Sequence, residues 1–209
     1  MTASQPTVEG IDVSSHQKPV NWQAEAARGV RFAYIRMADG LSHLDASYAQ
    51  HAQGARDAGL LVGAYLFFRA TRSPEEQAQL LVSQANLFPG LPPCLDFEER
   101  SDMGLPKPEV QYAVNLAIAH VEHLAGRCLV YTCASWWDTW MGHTTRIEDL
   151  WVANYGRERP LLPRGWHKRG FVIHQFEGTG TCAGVAGPCD RNRFQGDTEA
   201  LGKWARGEC

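Results

Sequence analysis

From residue 8 to residue 142 of this 209-residue chain, short apolar runs alternate with helix-patterned stretches, and beyond residue 149 the helices thin out. The runs VEGIDVS, FAYIRMA, LLVGAYLFF, PCLDFEE and CLVYT read as strands, and NWQAEAARG, DASYAQHAQGARDAG, SPEEQAQLLVSQANLF, PEVQYAVNLAIAHVEHLAG and ASWWDTWMG as the helices that follow them. Local chemistry supports the boundaries. Gly29 suits a C-cap, Ser73 an N-cap and Pro74 the first helical position, and Glu76 completes a capping box. Such alternation builds βαβ units around a parallel sheet. The later runs DLWVANY, GFVIHQF and DRNRF follow at spacings of about twenty residues or fewer, whereas a βαβ unit needs about thirty. Full crossover helices no longer fit there. The expectation is an α/β, TIM-like barrel: five βα units, then three strands with short connections, closed by the helix DTEALGKWARG. With no internal repeat, low-complexity tract or linker in sight, residues 1–209 are expected to form a single domain with its core at about 8–206.

A net charge of −3 gives no basic surplus of the kind that nucleic acid or an acidic membrane surface attracts. No apolar run reaches membrane-spanning length, and MTASQPTVEG has neither the basic nor the apolar region of a secretory signal. Six cysteines lack the C-x-x-C spacing of structural zinc sites, and the histidines show no i, i+4 pair, so no metal and no cofactor is expected. Cys182 and Cys189 bracket the glycine-rich AGVAGP and are expected to close it with a disulfide. Cys94 reads as a small buried thiol.

CLDFEER, residues 94–100, places Asp96 and Glu98 on one face of an otherwise apolar strand, because residues i and i+2 share a face. In barrels of this kind, functional side chains stand at the C-terminal ends of the strands. Those ends carry Asp12, Arg36 with Asp39, Tyr65, Asp96 with Glu98, Tyr131, Asn154 with Tyr155, Gln175 and Asp190. Acids dominate, with aromatic and amide partners. Close carboxylates raise one another's pKa, so that one keeps its proton while another stays ionised, which is the equipment for cleaving a glycosidic bond. Trp136, Trp137 and Trp151 near strand ends suit stacking on sugar faces. Each residue has a plainer reading: Asp12 as cap of the Ser14–Ser15 turn, Tyr65, Tyr131 and Trp151 as core aromatics, Asp190 as a turn residue, His174 as structural.

GIDVSSHQ (10–17) with NW after it, GAYLFF (63–68), LDFE (95–98), VYT (130–132), LWVANY (150–155), HQF (174–176) and CDRNRF (189–194) occur in this order along nearly the whole chain. Together they resemble glycoside hydrolase family 25, the Chalaropsis-type lysozymes or N-acetylmuramidases. The resemblance implies a flattened barrel and hydrolysis of the β-1,4 bond between N-acetylmuramic acid and N-acetylglucosamine in peptidoglycan. Glu98 would then be the general acid, and Asp96 the anion that stabilises the oxocarbenium-like centre or orients the 2-acetamido group. Asp12 and Asp190 would complete an acidic floor. Tyr65, Phe67, Tyr131, Trp151, Asn154, Tyr155, Gln175 and Arg36 would contact substrate. A monomer acting on cell-wall glycan strands, with release by lysis or a dedicated export route, is what this implies. The chain departs from the family pattern at Leu66, where many members have histidine, at Asp39-Gly40 in place of Glu-Gly, and in the cysteine pair beside Asp190. Two competitors are a non-catalytic glycan-binding barrel, which would usually have lost an acid, and a chitinase-like barrel, whose longer D-x-x-D-x-D-x-E array is absent.

Overall fold

The computed structural model describes residues 5–17, 19–98, 104–142 and 149–208. Each of the first five barrel strands is followed by a helix: β1 (Thr7–Val13) by α1 (Trp22–Arg28), β2 (Phe32–Asp39) by α2 (Tyr48–Asp57), β4 (Leu61–Phe67) by α3 (Pro74–Ala85), β5 (Cys94–Phe97) by α4 (Lys107–Ala125), and β6 (Leu129–Thr132) by α5 (Ala134–Trp140). β7 (Leu150–Ala153), β8 (Ile173–Thr181) and β9 (Pro188–Gln195) come next, and α6 (Thr198–Arg206) ends the chain's helices. Strands pair in the order β1-β2-β4-β5-β6-β7-β8-β9 and back to β1, closing a barrel; the two-residue β3 (His43–Leu44) only lengthens the edge of β2. The expected α/β barrel of five βα units and three loosely connected strands is the fold observed.

Two features escaped the sequence. β9 runs antiparallel to both β8 and β1, because a connection this short can only make a hairpin. That hairpin is also longer than expected. β8 continues through Gly178 and Gly180 to Thr181, and its tip is joined by the Cys182–Cys189 disulfide, with Cα atoms 6.0 Å apart. The tip docks on the entrance to α1: Asn21 N donates to Gly184 O at 2.7 Å, and Gly184 N donates to the buried Glu25 at 2.6 Å. The Ser73 N-cap and the Gly29 C-cap hold where they were read. Ser73 Oγ accepts from Glu76 N at 3.2 Å, and Gly29 ends α1 with φ of 105°.

Strand alternation divides the core into two layers. Outward residues such as Ile35, Leu66, Leu95, Phe97 and Val130 pack under the helices, where Trp136 and Trp137 also lie: Trp136 stacks on Phe97 at 6.0 Å and Trp137 meets Trp166 at 4.8 Å. These tryptophans are core residues, which corrects their reading as sugar platforms. Leu66, at the position where histidine was noted as common, is wholly buried in this outer layer.

Inward residues Val8, Phe32, Tyr34, Cys94, Leu129, Ile173 and Phe194 fill the barrel, and Leu201 and Trp204 of α6 plug its lower end. Arg127 and Asp149, ion-paired at 3.0 Å, latch that plug: Arg127 donates to Trp204 O and the Trp204 indole donates to Asp149 at 3.0 Å. Around β8 and β9, arginines do part of the work that helices do elsewhere. Phe171, His174 and Phe176 line up at 6.1 and 6.3 Å, and the guanidinium of Arg193 lies 3.9 Å above the Phe176 ring, so arginine stems shield the aromatic row.

The interior is tight enough to demand glycine. A Cβ at Gly63 would collide with the Tyr34 ring, which is fully buried and fixed by its hydrogen bond to Pro92 O at 3.0 Å. Gly63→Ala should therefore destabilise the fold by about 1–3 kcal/mol. Urea unfolding of the variant against the parent measures this, and equal midpoints would contradict the packing described.

Candidate active site

At the upper end of the barrel Asp12, Tyr65, Asp96, Glu98, Tyr131, Trp151, Tyr155, Gln175 and Asp190 line a cleft of about 240 Å³. The parallel strands bring their residues there by their C-terminal ends. Asp190 arrives differently, from the start of β9, and pairs directly across from Asp12 because that strand runs the other way. Asp96 sits inside β5 and is buried, whereas Glu98 stands just past its end and is exposed. Two acids on one strand face thus meet two very different surroundings.

Asp12 does not cap the serine turn. Its Oδ2 accepts from Asn192 Nδ2 at 2.7 Å and from Gln175 Nε2 at 2.9 Å. The turn is held instead by Gln17, which accepts from Ser14 N at 3.0 Å, and by Asp45, which accepts from Ser15 N at 2.7 Å. Gln175 Oε1 accepts from Tyr131 OH at 2.8 Å and from Tyr155 OH at 2.9 Å, and Tyr131 OH also lies 3.5 Å from Glu98 Oε2. Trp151 is the cleft's floor: almost fully buried, 4.7 Å from the Tyr131 ring and 6.2 Å from the Tyr65 ring, it donates to Asn192 Oδ1 at 2.8 Å. Asn192 was not anticipated as a site residue. Its signal was present, since it alternates with Asp190 on β9 as Glu98 does with Asp96 on β5.

Three expected contacts stand outside the cleft wall. Arg36 is held beside it, 3.5 Å from Asp45 and 3.2 Å from Ser15 Oγ. Asn154 turns away to accept from Leu161 N at 2.9 Å, organising its own loop. Phe67 lies under the Arg69 guanidinium at 4.4 Å, and Arg69 is paired at 2.5 Å with Asp39. His174 is structural, its Nε2 2.8 Å from Asn154 O. Cys94 and Cys128 are buried free thiols and Cys133 is half-buried; Cys209 lies outside the described residues. Among the described residues no three His, Cys, Asp or Glu side chains are placed so that they could hold a metal ion together.

Burial and mutual repulsion raise the acids together. Asp190 is pushed up to about 8, by burial first and then by the charges of Asp12 and Glu98. Asp12 is pushed up to about 6 by burial, against the pull of its bonds from Asn192 and Gln175. Burial, then Glu98 and Asp12, drive Asp96 well above the usual carboxylate range, with Arg36 pulling back. Asp96 Oδ1 is buried without a hydrogen-bond partner among the described residues. Such a mouth keeps protons on carboxyls near neutrality and leaves an acceptor unfilled.

An α/β barrel whose mouth gathers carboxyls of unlike burial is built as a glycoside hydrolase is built, and this chain is one. It belongs to the family described as Glycosyl hydrolases family 25, whose model matches residues 11–185. The match ends before Asp190. The chain is 32% identical over 208 residues to Lysozyme M1 of Streptomyces globisporus, covering 93% of this chain and 70% of that protein. It is 27% identical over 177 residues to the N,O-diacetylmuramidase of a Chalaropsis species, covering 77% of this chain and 84% of that one. The crystal structure of a bacterial lysozyme from Streptomyces coelicolor superposes with a TM-score of 0.88 at 30% identity, over 99% of this chain and 100% of the other. That of a family GH25 lysozyme from Aspergillus fumigatus gives 0.84 at 27% identity, over 96% and 99%.

Raised acids carry a stability consequence of definite sign. The native protein holds protons that the unfolded chain releases at ordinary carboxyl pKa values, so this part of its stability is full below about pH 4 and is lost as pH climbs. For Asp190 the loss runs up through its pKa of about 8. Asp190→Asn cannot ionise, so it should match the parent's melting temperature at pH 4 and exceed it at pH 8. Melting curves across that range test this, and a gap that fails to widen with pH would refute it.

Proposed function

We propose that the protein is a lysozyme that hydrolyses the β-1,4 bond between N-acetylmuramic acid and N-acetylglucosamine in peptidoglycan. The observation that carries this reading is the Asp96–Glu98 pair. One acid is buried with an unfilled acceptor, and the other is exposed at the cleft where a leaving oxygen would lie. Relatives named as lysozyme and N,O-diacetylmuramidase support the bond assigned.

Glu98 acts as the general acid. Its carboxyl proton passes to the glycosidic oxygen as the bond from that oxygen to C1 of the muramic sugar breaks. Positive charge grows on C1 and the ring oxygen, and Asp96 stabilises it directly or holds the 2-acetamido N–H so that its carbonyl oxygen attacks C1. Asp96's raised pKa is compatible with this role. A donated N–H and a developing cation both favour its ionised form, which leaves Glu98 as the proton donor of the pair. Water then adds to C1, and its proton returns to Glu98.

Asp12 and Asp190 hold the mouth's charge, and Tyr65 contacts the reacting sugar. The half-exposed Tyr155 separates the cleft from a second depression of about 470 Å³, lined with Phe176, Gly178 and Thr179, along which a polymer could continue. The barrel serves as one catalytic unit and works as a monomer on wall glycan, outside the cytoplasm. No helix among the described residues is long and apolar enough to cross a membrane.

Glu98→Gln keeps the side chain's shape but has no proton to give, and its lytic rate should fall by about 10²–10⁴-fold or more with the fold intact. Turbidity loss of purified cell walls reads the rate, and mass spectrometry of the released fragments names the reducing sugar. A near-parental rate in the variant removes Glu98 from its role, and fragments ending in reducing N-acetylglucosamine remove the bond assignment.

A further inference from the structure

Gln175 was expected to touch substrate, yet it is 3% exposed and both ends of its amide bond to protein. Nε2 donates to Asp12 Oδ2 at 2.9 Å, and Oε1 accepts from Tyr131 OH at 2.8 Å and from Tyr155 OH at 2.9 Å. We propose that Gln175 is a positioning residue that ties the ionisation of Asp12 to the protonation of Glu98 through the Tyr131 hydroxyl. The inference rests on Glu98 being the acid assigned above.

The argument follows from donors and acceptors. An ionised carboxylate only accepts, so ionised Asp12 fixes which way the Gln175 amide points: NH₂ toward Asp12, carbonyl toward the tyrosines. That carbonyl claims the single proton of the Tyr131 hydroxyl. The same hydroxyl also stands in donor position to Glu98 Oε2 at 3.5 Å, but with its one proton committed to the shorter 2.8 Å bond to Gln175 it offers that oxygen only lone pairs. A lone pair facing a carboxyl favours the protonated form, whose O–H can donate to it, and such contacts tighten when substrate fills an empty site. Were the amide reversed, its NH₂ would face the tyrosines, freeing Tyr131 to donate to Glu98 and hold it as an anion. The amide thus passes a choice of proton position across the barrel, from β1 through β8 to β6 and the end of β5.

Other charges face the same group. Asp12 on β1, Asp190 on β9 and Asp96 on β5 repel the Glu98 anion, Tyr131 and Tyr155 adjoin it, and Arg36 on β2 acts behind Asp96. Repulsion from the acids works with or without Gln175. What distinguishes the relay is its dependence on Tyr131.

The test reads Glu98 itself, not lysis, so it stands apart from the bond-cleavage assignment. The protein is labelled with carboxyl-¹³C glutamate, and the Glu98 resonance is identified by its loss in Glu98→Gln. In Gln175→Leu the freed Tyr131 hydroxyl can donate to Glu98, and the titration midpoint should drop by about half a pH unit or more. Most of that drop should vanish when Gln175→Leu is made in a Tyr131→Phe background. On cell walls, Gln175→Leu should lower kcat, move the alkaline limb of the pH profile to lower pH, and leave KM nearly unchanged. An unmoved Glu98 midpoint in Gln175→Leu, or a drop that persists in full without Tyr131, overturns the proposal. Should Gln175→Leu fail to fold, Tyr131→Phe alone decides: it leaves Gln175 and Asp12 in place and must still lower the Glu98 midpoint.

Discussion

Like charges buried together are the constraint around which this barrel is organised. Asp12 and Asp190 face each other directly across β1 and β9, while Asp96 lies within β5 and Glu98 just past its end. Like charges at opposed positions destabilise a sheet, and burial adds to the cost unless protons stay bound. A chain spends stability in this way only where the surroundings hold the groups still. Here the holding is done by neutral donors: the amides of Gln175 and Asn192 satisfy Asp12, while Arg36, whose charge acts on Asp96, remains tied to Asp45 and Ser15. A lysine or arginine in the cleft would have stabilised the acids as anions and removed the protons that glycoside cleavage requires.

The rest of the structure keeps that cluster rigid from behind. Phe32, Tyr34, Trp151 and Phe194 fill the barrel below it, and α6 seals the lower end through the Arg127–Asp149–Trp204 latch. Asp190 is the acid with the least support from its own sequence, being carried on a hairpin. Its position is secured by the neighbouring Cys189–Cys182 bond and by the tip's docking against Asn21 and Glu25. The disulfide therefore closes the hairpin one residue from an acid of the mouth.

Aromatic residues divide by depth. Trp136, Trp137 and Trp151 are buried packing elements, and the half-exposed Tyr155 presents its ring at the cleft's rim. Gly178 permits that placement, for a Cβ there would press on the Tyr155 ring. Counting tryptophans near strand ends therefore overstated the sugar-facing surface. A strand end fixes height in the barrel, but only tertiary packing decides whether a large ring is covered.

The barrel was legible in the sequence because its signals are local. Apolar alternation, Ser73 and Gly29 at helix ends, and the shrinking spacing after residue 149 each follow from chain geometry over a few residues. The acids were legible for a related reason: carboxylates at Asp96 and Glu98 violate the pattern of an apolar strand, and a violation of pattern can be seen without coordinates. What the sequence could not decide was everything set by residues far apart meeting. The reversed direction of β9, the pairing of Asp12 with Asp190, the recruitment of Asn192 and the turning away of Arg36, Asn154 and Phe67 all depend on which strands close the barrel. Gln175 shows the division most plainly. Its place at a strand end was readable, but its two functional groups found their partners 163 and 44 residues away in the chain, and only the closed barrel brings them within hydrogen-bond distance.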